Sequence, residues 1–185
     1  SLQAPGEHNV RNALATLAIV DVLGLSREQA AKALSKFTGT GRRFDLRGEA
    51  NGVSVFDDYA HHPTEIKATL AGARARYPER RIWAVWQPHT YSRTQALYLE
   101  FSRAFKDADE VIVTEVYAAR EPKQEFTSAE IVSGMPHPSA RYLATLPQVT
   151  DYLLKNLHPN DVLIVLSAGD ADQICADVLK ALKER

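Results

Sequence analysis

The run DVLIVLSA, residues 161–168, is apolar at nearly every position and ends in small residues. Two similar runs are RIWAVWQ at 81–87 and EVIVTEV at 110–116. Strands of this kind are buried on both faces, which is typical of a parallel sheet covered by helices on its two sides. Helical patterns separate the runs, so the sequence predicts a three-layer α/β domain with a mostly parallel sheet.

The segment before this domain has a helical period. Apolar side chains recur at helical spacing in two pieces, with Gly24 ending the first and Ser26 capping the second. The glycine-rich break at 38–41 ends this pattern. We therefore expect two helices in residues 1–38 and a separate α/β domain in residues 39–185.

Local signals divide the α/β domain further. Asn51-Gly52 lies between two alternating segments and predicts a two-residue hairpin turn. Pro63 suits the first turn of a helix. Another helix is expected from about Arg93 to Phe105.

The charges of the chain nearly balance, with 22 Lys and Arg against 23 Asp and Glu. This balance gives no electrostatic basis for binding DNA, RNA or an anionic membrane surface. The longest apolar stretch, 162–166, is far shorter than a membrane span. Cys175 is the single cysteine, so no internal disulfide can form. We expect a cytoplasmic protein without nucleic acid or membrane partners.

In parallel sheets, ligands bind beyond the carboxyl ends of the strands. Polar segments stand at four predicted strand ends: Asp57–His62, Gln87–Arg93, Glu115–Glu121 and Ser167–Asp172. The carboxyl edge of the sheet is therefore the predicted place of the chemistry.

The densest set of reactive side chains is DDYAHHP, residues 57–63. Two carboxylates, a phenol and two imidazoles precede a helix N-terminus, whose free N–H groups favour an anion. The structural alternative is that Asp58 or His62 caps the helix and Tyr59 packs. Five such side chains together favour a ligand site.

A second set is QPHTYSRT, residues 87–94. Arg93 could grip a carboxylate with two hydrogen bonds, and His89 could donate or accept one. The alternative is a solvated loop in which Ser92 caps the next helix.

A third set is more ambiguous. His8 and Asn12 share one face of a helix near its start, and an Asn amide can read an adenine edge or simply cap the helix. Arg42 and Arg43 could contact phosphate or form a surface pair. Neither GxGxxG nor GxxxxGK[ST] occurs, so the chain is not expected to be a self-contained nucleoside triphosphatase.

Five strings, in chain order, resemble those of the Mur ligase family: GEHNVRNALA, GRRF, DDYAHHPTEI, QPHTYSRT and SAGDADQI. These ligases use ATP to add amino acids to the UDP-linked precursor of bacterial peptidoglycan. The resemblance covers essentially the whole chain, and DDYAHHPTEI is its most specific string. Within the family, the strings are closest to the members that join L-alanine to UDP-N-acetylmuramate.

The resemblance implies a bacterial, three-domain ligase. This chain would supply the closing helices of the central ATP-binding domain, 1–38, and the Rossmann-like C-terminal domain, 39–185. Its ligands would be ATP, L-alanine and UDP-N-acetylmuramate. The last two would be joined through an acyl-phosphate intermediate. Mg²⁺ ligands are expected in the missing part of the central domain. The N-terminal and central domains would be the chain's partners, and the chain alone would be inactive.

The resemblance also implies residue roles. Nucleotide contacts are expected at His8, Asn12, Arg43 and Asp58. Contacts with the incoming amino acid and the acyl phosphate are expected at Tyr59, His61, His89 and Arg93. The last three would be the catalytic residues. Thr90 stands where some members carry a second Arg.

Three alternatives remain open. One is the peptide-recycling member of the family, which joins L-alanyl-γ-D-glutamyl-meso-diaminopimelate to the same sugar nucleotide. Another is a non-enzymatic nucleotide-binding module. The third is a metal-dependent phosphoesterase. Its two-metal cluster would use Asp57, Asp58, His61, His62, Asp170 and Asp172.

Overall fold

The computed structural model describes residues 2–3, 6–37 and 41–184, without the side chain of His8. The chain divides into two compact units, Ser1–Gly41 and Arg42–Arg185. The predicted contact of His8 and the predicted boundary at 38–39 fall outside the described part of the chain.

The first unit contains two helices, α1 (Glu7–Val22) and α2 (Arg27–Leu34). Gly24 follows α1 with φ of 66°, and the Ser26 hydroxyl accepts a hydrogen bond from the N–H of Gln29, so both predicted helix signals are confirmed. Apolar side chains of α1 are exposed, including Leu14 at 62% and Val22 at 86%.

The second unit is built on a six-stranded sheet. The strands are β1 (Asp45–Ala50), β2 (Val53–Asp58), β3 (Ile82–Gln87), β4 (Glu110–Val113), β5 (Ala140–Tyr142) and β6 (Val162–Ser167). The helices are α3 (Pro63–Arg76), α4 (Tyr91–Ala96), α5 (Tyr98–Ser102), α6 (Ser128–Ser133), α7 (Leu146–Asn156) and α8 (Gln173–Lys183). The strand order is β1-β2-β6-β3-β4-β5, and only the β1–β2 pair is antiparallel among the described strands.

Both faces of the three central strands β2, β6 and β3 are buried, as the apolar runs predict. Every residue of β2, β3 and β6 is buried. Successive side chains point to opposite faces. Trp86 therefore stacks on Phe101 beneath α3, α5 and α6, whereas Trp83 lies with the side chains of α7 and α8. The predicted mostly parallel α/β architecture is confirmed.

The hairpin before the parallel strands is also confirmed. Ala50 pairs with Val53, and the two residues between them have positive φ, 49° at Asn51 and 75° at Gly52. Positive φ at both turn positions is the geometry that an Asn-Gly pair favours.

Asp161 ties together the amino ends of β3 and β6. Its carboxylate is 4% exposed and accepts bonds from Arg81 Nε at 3.1 Å, Arg81 Nη2 at 2.7 Å, Trp83 Nε1 at 3.0 Å and the N–H of His158 at 2.9 Å. Both carboxylate oxygens are thus used, which stabilises a buried charge.

The expected helix from Arg93 to Phe105 is wrong in its extent. The segment forms α4 and α5, with a break at Leu97 where φ is −112° and ψ is 25°. Tertiary contacts explain the break. Phe101 of α5 stacks on Trp86 with ring centroids 4.6 Å apart, so packing in the core sets the direction of α5. In α4, the N–H of Ser92 instead donates to Glu121, which lies in the loop that follows β4.

Candidate functional site

The carboxyl ends of β2, β6, β3 and β4 are adjacent. Asp58 and Trp86 both pair with Leu166, and Trp86 also pairs with Val113. Since these strands are parallel, the four polar segments that follow them start from one edge of the sheet, as predicted. This edge is the candidate site.

Asp58, a predicted nucleotide contact, is engaged within the domain. It is 4% exposed. It accepts hydrogen bonds from the N–H of Phe44 at 2.9 Å, the N–H of Ala60 at 2.8 Å and the hydroxyl of Thr69 at 3.0 Å. Burial raises the pKa of its carboxyl despite these donors. Asp58 therefore shapes the backbone on both sides of the site.

Asp57 is paired with Arg42. Arg42 Nε lies 2.9 Å from Asp57 Oδ2, and Arg42 Nη2 donates to the carbonyl of Ser167 at 2.8 Å. Asp57 Oδ1 is buried and has no hydrogen-bond partner among the described residues. Burial raises the pKa of Asp57, and the Arg42 charge opposes this effect. Of Arg42 and Arg43, Arg42 is therefore the arginine that contacts within the domain hold at the edge of the sheet.

Arg43 is the more exposed arginine. Its side chain is 48% exposed and lies 3.5 Å from Glu65. Its guanidinium carbon is 5.8 Å from the ring centroid of Tyr59, which Arg42 also approaches at 5.2 Å. Two cations close to an exposed aromatic ring form a positive surface that suits an anion.

The structural alternative for His62 is correct. Its Nδ1 accepts a hydrogen bond from the N–H of Thr64 at 3.3 Å, and Glu65 accepts from the N–H of His62 at 3.1 Å. This reciprocal arrangement is a capping box for α3, with Pro63 in its first turn.

His61 makes contacts different from those of His62. Its Nδ1 lies 2.9 Å from the carbonyl oxygen of Tyr59 and 3.5 Å from a carboxylate oxygen of Glu65. Both neighbours are acceptors, so Nδ1 carries the proton and Nε2 is the free acceptor of neutral His61. Burial works against ionisation of Glu65, but hydrogen bonds from the backbone N–H groups of His61 and His62 and nearby positive charge, including that of Arg43, lower the Glu65 pKa overall.

His89 and Arg93 lie beside His61. The imidazole centroids of His61 and His89 are 6.2 Å apart, and Arg93 Nη1 is 3.4 Å from His89 Nδ1. A guanidinium only donates, so neutral His89 carries its proton at Nε2. Burial, followed by the Arg93 and His61 charges, lowers the pKa of His89.

Arg93 is available to a ligand. It is partly buried, and no carboxylate lies within ion-pair distance of its guanidinium among the described residues. The alternative in which Ser92 caps the next helix is wrong, because Thr90 is the N-cap residue and Ser92 binds Glu121 instead.

The sequence analysis includes Gln87 and Gly169 in the polar strand ends but gives neither of them a role. The Gln87 amide oxygen accepts from the Ser167 hydroxyl at 2.8 Å and from the N–H of Ala171 at 3.2 Å, and its nitrogen donates to Asp170 at 2.7 Å. Gly169 also matters, since a Cβ there would lie 2.5 Å from Gln87 Oε1. A polar residue ending a buried strand was the available signal for Gln87.

Asn12 belongs to the first unit. Its side chain is exposed in α1, which begins at Glu7, so Asn12 is not the helix cap. The adenine contact of Asn12 stays a prediction.

Metal ligands are not grouped at this edge. Among the described residues, no three or more His, Cys, Asp and Glu side chains are arranged to hold a metal ion. Asp57 and Asp58 are instead bound to Arg42 and to backbone N–H groups. The two-metal phosphoesterase alternative therefore lacks support.

A sequence model of the family described as Mur ligase, glutamate ligase domain, matches residues 42–169. The chain belongs to the Mur ligase family. The match includes the strings around His61 and His89 that carry the resemblance, so the predicted family is confirmed.

Curated relatives in the Mur ligase family cover nearly the whole chain. The UDP-N-acetylmuramate–L-alanine ligase of Roseiflexus sp. (strain RS-1) is 43% identical over 186 residues, which is 100% of this chain and 40% of the relative. That of Acetivibrio thermocellus is 46% identical over 183 residues, 97% of this chain and 39% of the relative. The chain thus spans about 40% of the length of these Mur ligases.

Solved Mur ligase structures have the same fold. The UDP-N-acetylmuramate-alanine ligase of Thermotoga maritima superposes with a TM-score of 0.81 at 30% identity over 99% of this chain and 39% of that chain. A murein peptide ligase of Psychrobacter arcticus 273-4 superposes with a TM-score of 0.73 at 30% identity over 97% of this chain and 38% of that chain.

Among the described residues, no helix has both the length and the apolar character that a membrane span requires.

Proposed function

We propose that the chain is the C-terminal part of an ATP-dependent ligase that joins L-alanine to UDP-N-acetylmuramate. The observation that carries this proposal is the proximity of His61 and His89, with ring centroids 6.2 Å apart, beside Arg93, whose guanidinium has no carboxylate within ion-pair distance among the described residues. Relatives named UDP-N-acetylmuramate–L-alanine ligase at 43% and 46% identity support the substrate choice.

Arg93 would hold the alanine carboxylate. A guanidinium matches a carboxylate with two parallel hydrogen bonds, and no protein carboxylate within the described residues competes for it. Holding the amino acid in place converts a bimolecular step into an effectively intramolecular one, worth up to about 7–11 kcal/mol in ideal cases.

The two histidines would have different roles. His61 presents a free acceptor at Nε2, since its Nδ1 donates to the Tyr59 carbonyl, so it can take the proton from the alanine amine. His89 presents Nε2–H, which can donate to an oxygen of the acyl phosphate or of the tetrahedral intermediate. The amine nitrogen forms the new C–N bond, and the C–O bond to phosphate breaks. Tyr59 would line the same site.

The nucleotide would use a second set of residues. Arg43 is exposed enough to meet a phosphate, and the Asp58 network would support the adjacent backbone. His8 and Asn12 would contact the adenine. Magnesium, when bound with ATP, would neutralise phosphate charge, and its ligands are proposed to lie outside this chain.

The rest of the protein would complete the enzyme. We propose that residues 1–38 are the closing helices of the central ATP-binding domain and that residues 39–185 are the C-terminal domain. The exposed apolar side chains of α1 support this division, since such a stripe normally packs on neighbouring elements. The isolated chain would then be inactive, and the whole enzyme would work in the bacterial cytoplasm.

A peptide-recycling ligase is the second candidate, because a murein peptide ligase shares the fold at 30% identity. Comparing L-alanine with L-alanyl-γ-D-glutamyl-meso-diaminopimelate as acceptor in the full-length enzyme separates the two. Turnover of the tripeptide in preference to alanine would replace our proposal with this one.

The carboxylate role of Arg93 is tested by Arg93→Ala in the full-length enzyme. We expect the KM for L-alanine to rise about tenfold or more while the KM for ATP stays unchanged. Arg103→Ala is the matched control, since Arg103 is exposed at the end of α5. An unchanged alanine dependence in Arg93→Ala would refute the assignment.

A further inference from the structure

Tyr117 belongs to the polar segment Glu115–Glu121 that follows β4, and it lies on His89, although the sequence gives it no role. The two rings are stacked, with centroids 5.7 Å apart and planes 19° apart. Tyr117 is 36% exposed, so its ring is not part of the domain core. The ring stacks on the imidazole of a proposed catalytic residue.

The backbone fixes the two residues in register. The N–H of Tyr117 donates to the carbonyl of Pro88 at 2.8 Å, and the N–H of Thr90 donates to the carbonyl of Tyr117 at 3.1 Å. These bonds form an isolated parallel bridge between His89 and Tyr117 beyond the ends of β3 and β4. The stacked rings therefore start from backbones that are themselves hydrogen-bonded.

The bridge supports a strained residue. Thr90 has φ of 65°, a conformation that is rare for a β-branched side chain. Such strain persists only where the surroundings determine the backbone, and it is concentrated at functional sites. The Tyr117 carbonyl is one of these determinants, and the Thr94 hydroxyl, which donates to the Thr90 carbonyl at 2.6 Å, is another.

Glu121 adds a second tie to the same loop. Its carboxylate accepts from the N–H of Ser92 at 3.0 Å and from the Ser92 hydroxyl. These hydrogen bonds lower the pKa of Glu121. Residues 117–121 therefore contact the His89–Arg93 segment at both Thr90 and Ser92.

Gly169 provides the space for the Tyr117 ring. A Cβ at Gly169 would lie 2.7 Å from Tyr117 Cγ and 2.9 Å from Cδ2, closer than real contacts allow. The ring thus lies against the β6–α8 turn as well as against His89.

We propose that Tyr117 is a positioning residue that holds the His89 imidazole in place beside His61 and Arg93. Only the expected effect of Tyr117 on catalysis rests on the proposed function. The structural relation between Tyr117 and His89 can be measured without substrates.

The structural arm uses this 185-residue chain with ¹⁵N-labelled histidine. Tyr117→Ala should hydrate the His89 ring, so its pKa should rise toward the ordinary histidine value of about 6.5, and its ¹⁵N shifts should show a mixture of tautomers. Tyr117→Phe keeps the flat face and should restore the native values. His89→Gln identifies the His89 signals.

Two variants make this arm decisive. Tyr117→Leu keeps apolar volume without a flat ring and replaces Tyr117→Ala if the latter does not fold. Tyr152→Ala removes a partly buried tyrosine that contacts Trp83 on the other face of the sheet, and it should leave His89 unchanged. Native His89 pKa and tautomer in folded Tyr117→Ala or Tyr117→Leu would overturn the proposal.

The catalytic arm uses the full-length enzyme. Tyr117→Ala should raise the KM for L-alanine or lower kcat at least tenfold, with the KM for ATP unchanged, and Tyr117→Phe should recover native values. If His89 responds in the structural arm but the kinetics stay native, Tyr117 positions His89 as proposed and the catalytic role given to His89 is wrong.

Discussion

Replacing Gly169 by alanine tests how tightly the carboxyl edge of the sheet is packed. The new Cβ would lie 2.5 Å from Gln87 Oε1 and 2.7 Å from Tyr117 Cγ. Gln87 is 5% exposed and uses its amide in three hydrogen bonds, so it cannot withdraw without losing them. Gly169 has no positive φ, so the effect is purely steric.

The expected loss follows from overpacking. Adding a methyl group to a closely packed site typically costs about 1–3 kcal/mol. A loss of about 2 kcal/mol lowers Tm by about 4–8 °C in a chain of this size. Urea denaturation followed by circular dichroism measures the free energy of unfolding, and differential scanning calorimetry measures Tm.

A matched glycine gives the opposite sign. Gly72 lies inside α3, and a Cβ added there would have no heavy atom within 4 Å. Gly72→Ala should therefore stabilise the chain by about 0.5–1 kcal/mol through reduced backbone entropy of the unfolded state. Adding Tyr117→Ala to Gly169→Ala should recover part of the loss. If Gly169→Ala is as stable as the native chain, the close packing inferred at this turn is wrong.

Three further predictions concern the rest of the chain. Asp161→Ala should lower the free energy of unfolding by about 3 kcal/mol, because it leaves four N–H groups without their acceptor; an unchanged urea midpoint would contradict this. The folded-state pKa of His89 lies below its ordinary value, so the unfolded chain binds the proton first. Lowering the pH through about 6.5 should therefore lower the urea midpoint of the native chain more than that of His89→Gln. Equal changes in the two midpoints with pH would contradict the lowered pKa of His89. Cys175 is 1% exposed and burial raises its pKa to about 12, so a thiol reagent should modify it only in urea; rapid labelling of the folded chain would contradict its burial.

Much of the fold was predictable because local and tertiary preferences agree. The runs ending at Gln87 and Ser167 are apolar at nearly every buried position, so a covered sheet is the arrangement that satisfies them. The helix break at Leu97 was not predictable, because the stacking of Phe101 on Trp86 depends on segments distant in sequence.

The candidate site was only partly predictable. Its place at the carboxyl edge follows from parallel strands, and the reactive types at His61, His89 and Arg93 are visible in the sequence. The partner of each ring nitrogen is not visible, since the acceptor for His61 is a backbone carbonyl and the donor for His89 is one turn away. The different proton positions of the two imidazoles therefore required the structure.

The sequence by itself determined the α/β class, the family resemblance and the set of side chains available for chemistry, because apolar period and motif spacing are properties of the chain. Only the tertiary structure decided that Asp58 accepts hydrogen bonds from Phe44 and Thr69, and that Tyr117 lies on His89 against Gly169. The reason is physical: these particular contacts join segments that are not neighbours in the sequence. Their geometry exists only after β2, β6, β3 and β4 have been placed side by side.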